Sequence, residues 1–177
     1  MEPAIFLTCL MEMLCLTANR ASAEEPILLR DPTFETLGKP GAAWKLIVNK
    51  ATKATATRVE NNGKASVAIN IPQAADQPWH IQFMQDKVPL EKGTKYRLQV
   101  TASADSEHPV NLLVQQQDKP YAMPGLNVND KITTESTTLT HEFTCTADEP
   151  NGKIAVTLGA AGGTVTITSF SLTRVAK

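Results

Sequence analysis

Apolar and polar residues alternate through three runs between Gln77 and Gln117: QPWHIQFMQ, DKVPLEKGTKYRLQVTASAD and SEHPVNLLVQQQ. A turn at Lys92-Gly93 separates the first two, and a polar corner at 105–108 the last two. Successive side chains on extended backbone point to opposite faces, so a period of two predicts half-buried strands. One face carries Trp79, Ile81 and Phe83, then Tyr96, Leu98, Val100 and Ala102, then Val110, Leu112 and Val114. That face is apolar enough to cover a core. The other carries His80, Gln82 and Met84, then Arg97, Gln99 and Thr101, then Asn111, Leu113, Gln115 and Gln117. With the three strands taken as neighbours, this second face becomes one amide-rich sheet surface, the candidate binding surface.

Further strands are predicted at 27–30, 43–48, 54–60, 65–71, 137–146, 153–158 and 164–175. Asn61-Asn62-Gly63 marks a hairpin, because asparagine and glycine tolerate positive φ. Residues 119–134, with Pro120, Tyr121, Pro124 and Gly125, read as one long loop, a length that in compact domains tends to carry function. No stretch has a helical period of useful length. About ten short strands with turn signals between them predict an all-β sandwich.

The amino terminus stands apart. Residues 4–16 are mostly apolar, broken by Glu12, and Ala21-Ser22-Ala23 offers small residues of the kind signal peptidase cuts. The expectation is a signal peptide at 1–23, one domain at 24–177 and a secreted protein, extracellular or periplasmic, with no membrane insertion once the lead is removed. Cys9 and Cys15 fall within the lead, leaving Cys145 without an internal partner. The net charge of −1 includes Glu2, Glu12 and Arg20 of the lead, so 24–177 is neutral and has no basic run. Nucleic acid and anionic membrane are therefore not expected as partners. His80, His108 and His141 have no metal-ligand spacing, and no nucleophile elbow or phosphate loop is present.

Taken in order, DPTFE, Trp44, PWHIQFMQ, LEKGTKYRLQVTASA, HEFTCTA, KIAVTLG and GTVTITSFSL resemble the carbohydrate-binding modules of families four and nine. The resemblance implies a galactose-binding-like jelly roll of antiparallel strands in two sheets. It also implies a non-catalytic domain that holds a polysaccharide or oligosaccharide in a shallow cleft on one sheet, working as a monomer. Sugars need an apolar platform and planar polar groups that both donate and accept, which suits glutamine side chains. The ligand-binding candidates are Trp79, His80, Gln82, Arg97, Gln99, Gln115, Gln117 and Tyr121. Outward strand positions are polar in any solvated sheet, and Trp79 could equally cap the core. The charge-poor choice of amides, with Met84 and Leu113 beside them, favours a binding face.

The resemblance further implies a structural calcium with Glu35 at a ligand position. Its expected aspartate partner is missing from Ile167-Thr168-Ser169-Phe170, so no cofactor is required and any calcium site would be weak. The thin aromatic supply and that missing aspartate keep open an alternative, a protein-interaction or structural jelly roll that has lost sugar binding. A hydrolase or lyase on the same scaffold ranks behind both.

Overall fold

The computed structural model describes residues 28–49, 52–61 and 63–176; the expected signal segment, 1–23, lies outside the described residues. These residues form an all-β jelly-roll sandwich. Its strands are β1 (Trp44–Val48), β2 (Thr55–Asn61), β3 (Lys64–Ile71), β4 (Ile81–Leu90), β5 (Lys95–Ala104), β6 (His108–Gln116), β7 (Asn127–Ile132), β8 (Thr137–Thr144), β9 (Glu149–Thr157) and β10 (Gly163–Arg174). One antiparallel sheet runs β1-β4-β9-β6-β7 and the other β2-β3-β10-β5-β8.

This order corrects the assumption that the three central strands are neighbours. β5 belongs to the opposite sheet, and β9 lies between β4 and β6. Both sheets of a sandwich turn apolar faces inward and polar faces out. Alternation therefore says which face a residue occupies, not which sheet its strand joins. The turn after Leu90 crosses between sheets and is pinned from a distance, with Gly93 N donating to Cys145 O at 2.8 Å.

Two other expectations are revised. The presumed loop 119–134 contains β7, an edge strand whose polar sequence NVNDKI hides it. The described part of the strand expected at 27–30 forms none, although Leu28 N donates to Leu172 O at 2.9 Å.

The inward faces close over a core centred on Trp44. Its ring stacks on Phe83 with centroids 5.0 Å apart and meets Phe170 at 4.9 Å and Phe34 at 5.6 Å. Its indole nitrogen donates to Asp31 O at 2.9 Å. The DPTFE bend seats Phe34 there. Asp31 accepts from Glu35 N and from both Thr36 N and Thr36 Oγ1, at 2.7, 2.8 and 2.6 Å. Buried Gln85 ties this segment to β4 through paired bonds with the Arg30 backbone, 2.8 and 2.9 Å. Cys145 is a buried free thiol whose pKa burial raises, in keeping with its role as a small apolar side chain.

Candidate functional site

The outward face of the β1-β4-β9-β6-β7 sheet carries a groove of about 960 Å³. Its floor follows from strand register. Lys45, Met84, Ala155, Leu113 and Asn127 are successive cross-strand partners and form one row running across the strands. The next row is Ile47, Gln82, Thr157, Asn111 and Asn129. Met84, Leu113 and Ala155 form an apolar cluster separate from the main core, with Ile47 packed against it. An apolar strip is thus bordered by amides and a hydroxyl. Asn111 Nδ2 donates to the side-chain oxygens of Asn127 and Asn129 at 2.9 and 3.0 Å, which orients all three amides.

Aromatic and thioether side chains stand at the rim. Trp79 is 53% exposed, Tyr121 48% and Met123 42%. Trp79 does not follow the alternation, which assigns it to the inward face with Ile81. Pro78–His80 is a 3₁₀ turn, and β4 begins only at Ile81. The turn rotates Trp79 out and buries His80, whose Nδ1 has no hydrogen-bond partner among the described residues. Gly159 lies against this turn. A Cβ there would stand 2.8 Å from the carbonyl oxygens of Gln77 and Pro78, so only glycine lets the strand end pack so closely.

Tyr121 has a φ of 59°, a left-handed conformation uncommon outside glycine. Gln115 Nε2 holds it by donating to Tyr121 O at 2.9 Å, and Tyr121 N donates to Asp118 O at 2.9 Å. Gln82 Nε2 likewise donates to Trp79 O at 2.8 Å. Each glutamine therefore steadies a rim aromatic with one N–H and keeps further hydrogen-bonding capacity.

The candidates divide accordingly. Trp79, Gln82, Gln115, Gln117 and Tyr121 line the groove; His80 is sealed beneath it. Arg97 and Gln99 do not join them, because β5 lies in the other sheet. Their polar groups are spent on β8: Arg97 donates twice to Glu142 Oε1, at 2.9 and 2.7 Å, and Gln99 Nε2 donates to Thr140 Oγ1 at 3.3 Å. Lys95 and Arg97 together hold the Glu142 carboxyl below its usual range.

Asn127, Asn129, Lys153, Thr157 and Lys45 line the groove as well and were not among the candidates. The alternation in KIAVTLG, with Lys153, Ala155 and Thr157 on one side, could have pointed to β9. Burial lowers the Lys153 ammonium's pKa. Its Nζ lies 3.5 Å from Gln82 Oε1.

The Glu35 carboxylate is already engaged by an arginine. It accepts from Arg58 Nη2 at 2.8 Å, while Arg58 Nε donates to Thr33 O at 3.1 Å and Nη1 to Glu60 Oε2 at 3.3 Å. One guanidinium thus gathers three oxygens at this bend. Thr168 Oγ1, in the stretch where Thr168 or Ser169 stands in place of the aspartate, donates to Thr101 O at 3.2 Å. No group of three or more His, Cys, Asp and Glu gathers among the described residues.

A family model for a carbohydrate binding domain matches residues 28–164. Endoglucanase C of Cellulomonas fimi is 30% identical over 102 residues, an alignment covering 53% of this chain and only 9% of that enzyme. The second N-terminal cellulose-binding domain of the β-1,4-glucanase C from Cellulomonas fimi superposes with a TM-score of 0.66 at 28% identity, covering 86% of this chain and 97% of that one. The CBM22-1 xylan-binding domain from Paenibacillus barcinonensis shares the fold at 13% identity, with a TM-score of 0.61 and 89% and 99% covered.

Proposed function

Because the chain belongs to the carbohydrate-binding domain family of the four/nine type, we propose that it holds a polysaccharide chain in the groove of the β1-β4-β9-β6-β7 sheet. The observation that carries this reading is the groove floor, where Met84 and Leu113 reach the lining with only 3% and 6% of their surface exposed, over fully buried Ala155, and are bordered by Gln82, Thr157 and Asn111. Exposed Trp79 and Tyr121 supply ring faces for stacking at the rim. The neutral amides, already oriented by their neighbours, exchange bonds with hydroxyls that both donate and accept. Water competes for every such bond, so affinity lies on the order of micromolar to millimolar.

A β-1,4-linked glucan is the first substrate to try, since the 28%-identical neighbour is named a cellulose-binding domain. The domain works without catalysis and outside the cell in this reading. The groove's carboxylates are already engaged, Asp86 by Lys45 and Asp130 by His141. Affinity electrophoresis through gels containing soluble β-glucan, xylan or no polysaccharide tests it. Retardation in at least one glycan gel, lost in Trp79→Ala and Gln115→Ala proteins of unchanged melting temperature, is the expected result. Equal migration in every gel would overturn the reading and favour a protein-interaction role for the same face.

A further inference from the structure

Lys153 is out of keeping with a groove built for neutral hydroxyls. It lies on β9, the middle strand of the sheet, opposite Gln115. It is partly buried, and no described carboxylate lies within salt-bridge distance of it. The other charges lining the groove are paired: Lys45 with Asp86, which Arg30 also approaches at 3.8 Å, and Asp130 with His141 at 2.8 Å. Keeping an ammonium in a partly dry floor without a counter-ion costs free energy, as the lowered pKa of Lys153 reflects. Its side-chain hydrogen bond, to Gln82 Oε1 at 3.5 Å, is a long one to a neutral acceptor.

Building on the polysaccharide reading of this groove, we propose that Lys153 selects a glycan bearing a carboxylate, a uronic acid in or on the chain. One ammonium matches one monoanion. Gln82 and Gln115, on the strands either side of β9, have amide N–H groups that can donate to the same carboxylate. Where water is partly excluded, such a pair is stronger than at an open surface. Sulfate esters share the charge but spread it over three oxygens in a tetrahedral group, a poorer match for one lysine between two planar amides.

The test is calorimetric titration with cellohexaose, xylohexaose, a C6-carboxylated cello-oligosaccharide, a glucuronic-acid-bearing xylo-oligosaccharide and a sulfated cello-oligosaccharide. The native chain is compared with Lys153→Met and Lys153→Arg, each checked by its melting temperature. At low salt the native chain should prefer a carboxylated sugar over its neutral counterpart by about tenfold, the worth of one charge-assisted bond. Added salt should shrink the preference. Lys153→Met should remove the difference between carboxylated and neutral sugars, and Lys153→Arg should keep it. Neutral binding with no carboxylate preference in the native chain, or a preference that survives in Lys153→Met, overturns this inference and leaves the polysaccharide reading intact. A sulfated ligand bound more tightly than the carboxylated one overturns the choice of carboxylate. If none of the five sugars binds, the polysaccharide reading fails and this inference fails with it.

Discussion

Met84 and Leu113 stand on β4 and β6, strands that do not pair with each other, and join one cluster through Ala155 of the β9 strand between them. The contact makes a second, smaller apolar cluster on the outside of the sandwich. Leu112, one residue earlier, faces the main core and is fully buried. The two leucines should therefore respond differently to truncation. Leu112→Ala should cost about 2–5 kcal/mol of stability, the range for buried leucine. Leu113→Ala should cost less, since it packs in a cluster of only three buried residues rather than in the main core, yet should weaken glycan binding more. Urea melts and titrations on both proteins check the crossed pattern.

Trp79 carries its indole into solvent from a turn whose backbone is fixed independently, His80 N donating to Gln77 O at 3.0 Å and Gly159 N to Pro78 O at 2.9 Å. Trp79→Ala should leave stability within about 0.5 kcal/mol, as surface substitutions do. Glycan affinity should fall by about tenfold or more, as for an aromatic anchor at an interface. Thermal melts and affinity electrophoresis measure the two quantities separately.

Arg58 binds the three oxygens of Thr33, Glu35 and Glu60 around the first bend of the chain. If a guanidinium fills this role, the melting temperature should be the same in calcium and in chelator. Arg58→Ala should lower it by about 2–4 °C, because partly exposed ion pairs contribute at most about 1 kcal/mol. A calcium-dependent rise in the native chain's melting temperature would show that a metal site exists after all.

Asp31 links stability to pH. Burial raises its pKa, but hydrogen bonds from Thr36 and Glu35 and the charge of Arg58 outweigh this and leave it below the ordinary 3.8. The folded chain therefore favours the carboxylate. Its contribution is complete above the unfolded-state value, about 3.9, and is lost as pH falls through the lower folded value. Asp31→Asn should melt earlier than the native chain at pH 7, with the gap narrowing below about pH 4. A gap of constant size from pH 7 to 3 would contradict this.

The sandwich was legible because the turn residues and the two-residue period survive in almost every strand. The inward sets on β4, β5 and β6 read correctly from Ile81 to Val114. Pairing order was not legible, because inward and outward patterns look alike in both sheets. That is why Arg97 and Gln99 were grouped with Gln82 and Gln115. β7 escaped notice because Asn127, Asn129, Asp130 and Lys131 leave little apolar signal in its six residues. At Trp79 and His80 the strand had not yet begun, so a period drawn through Pro78 assigned each ring to the wrong side. The resemblance in the ordered motifs supplied the family, and the coordinates supplied which amides share a floor.

The most direct test of the account is an amide and side-chain NMR titration of the native chain with the glycan that retards it in gels. Shifts should concentrate at Trp79, Gln82, Asn111, Leu113, Gln115 and Tyr121, with Arg97 and Gln99 unmoved on the opposite sheet. Shifts centred on Arg97, Gln99 and Thr101 instead, with the Trp79 indole unchanged, would contradict it.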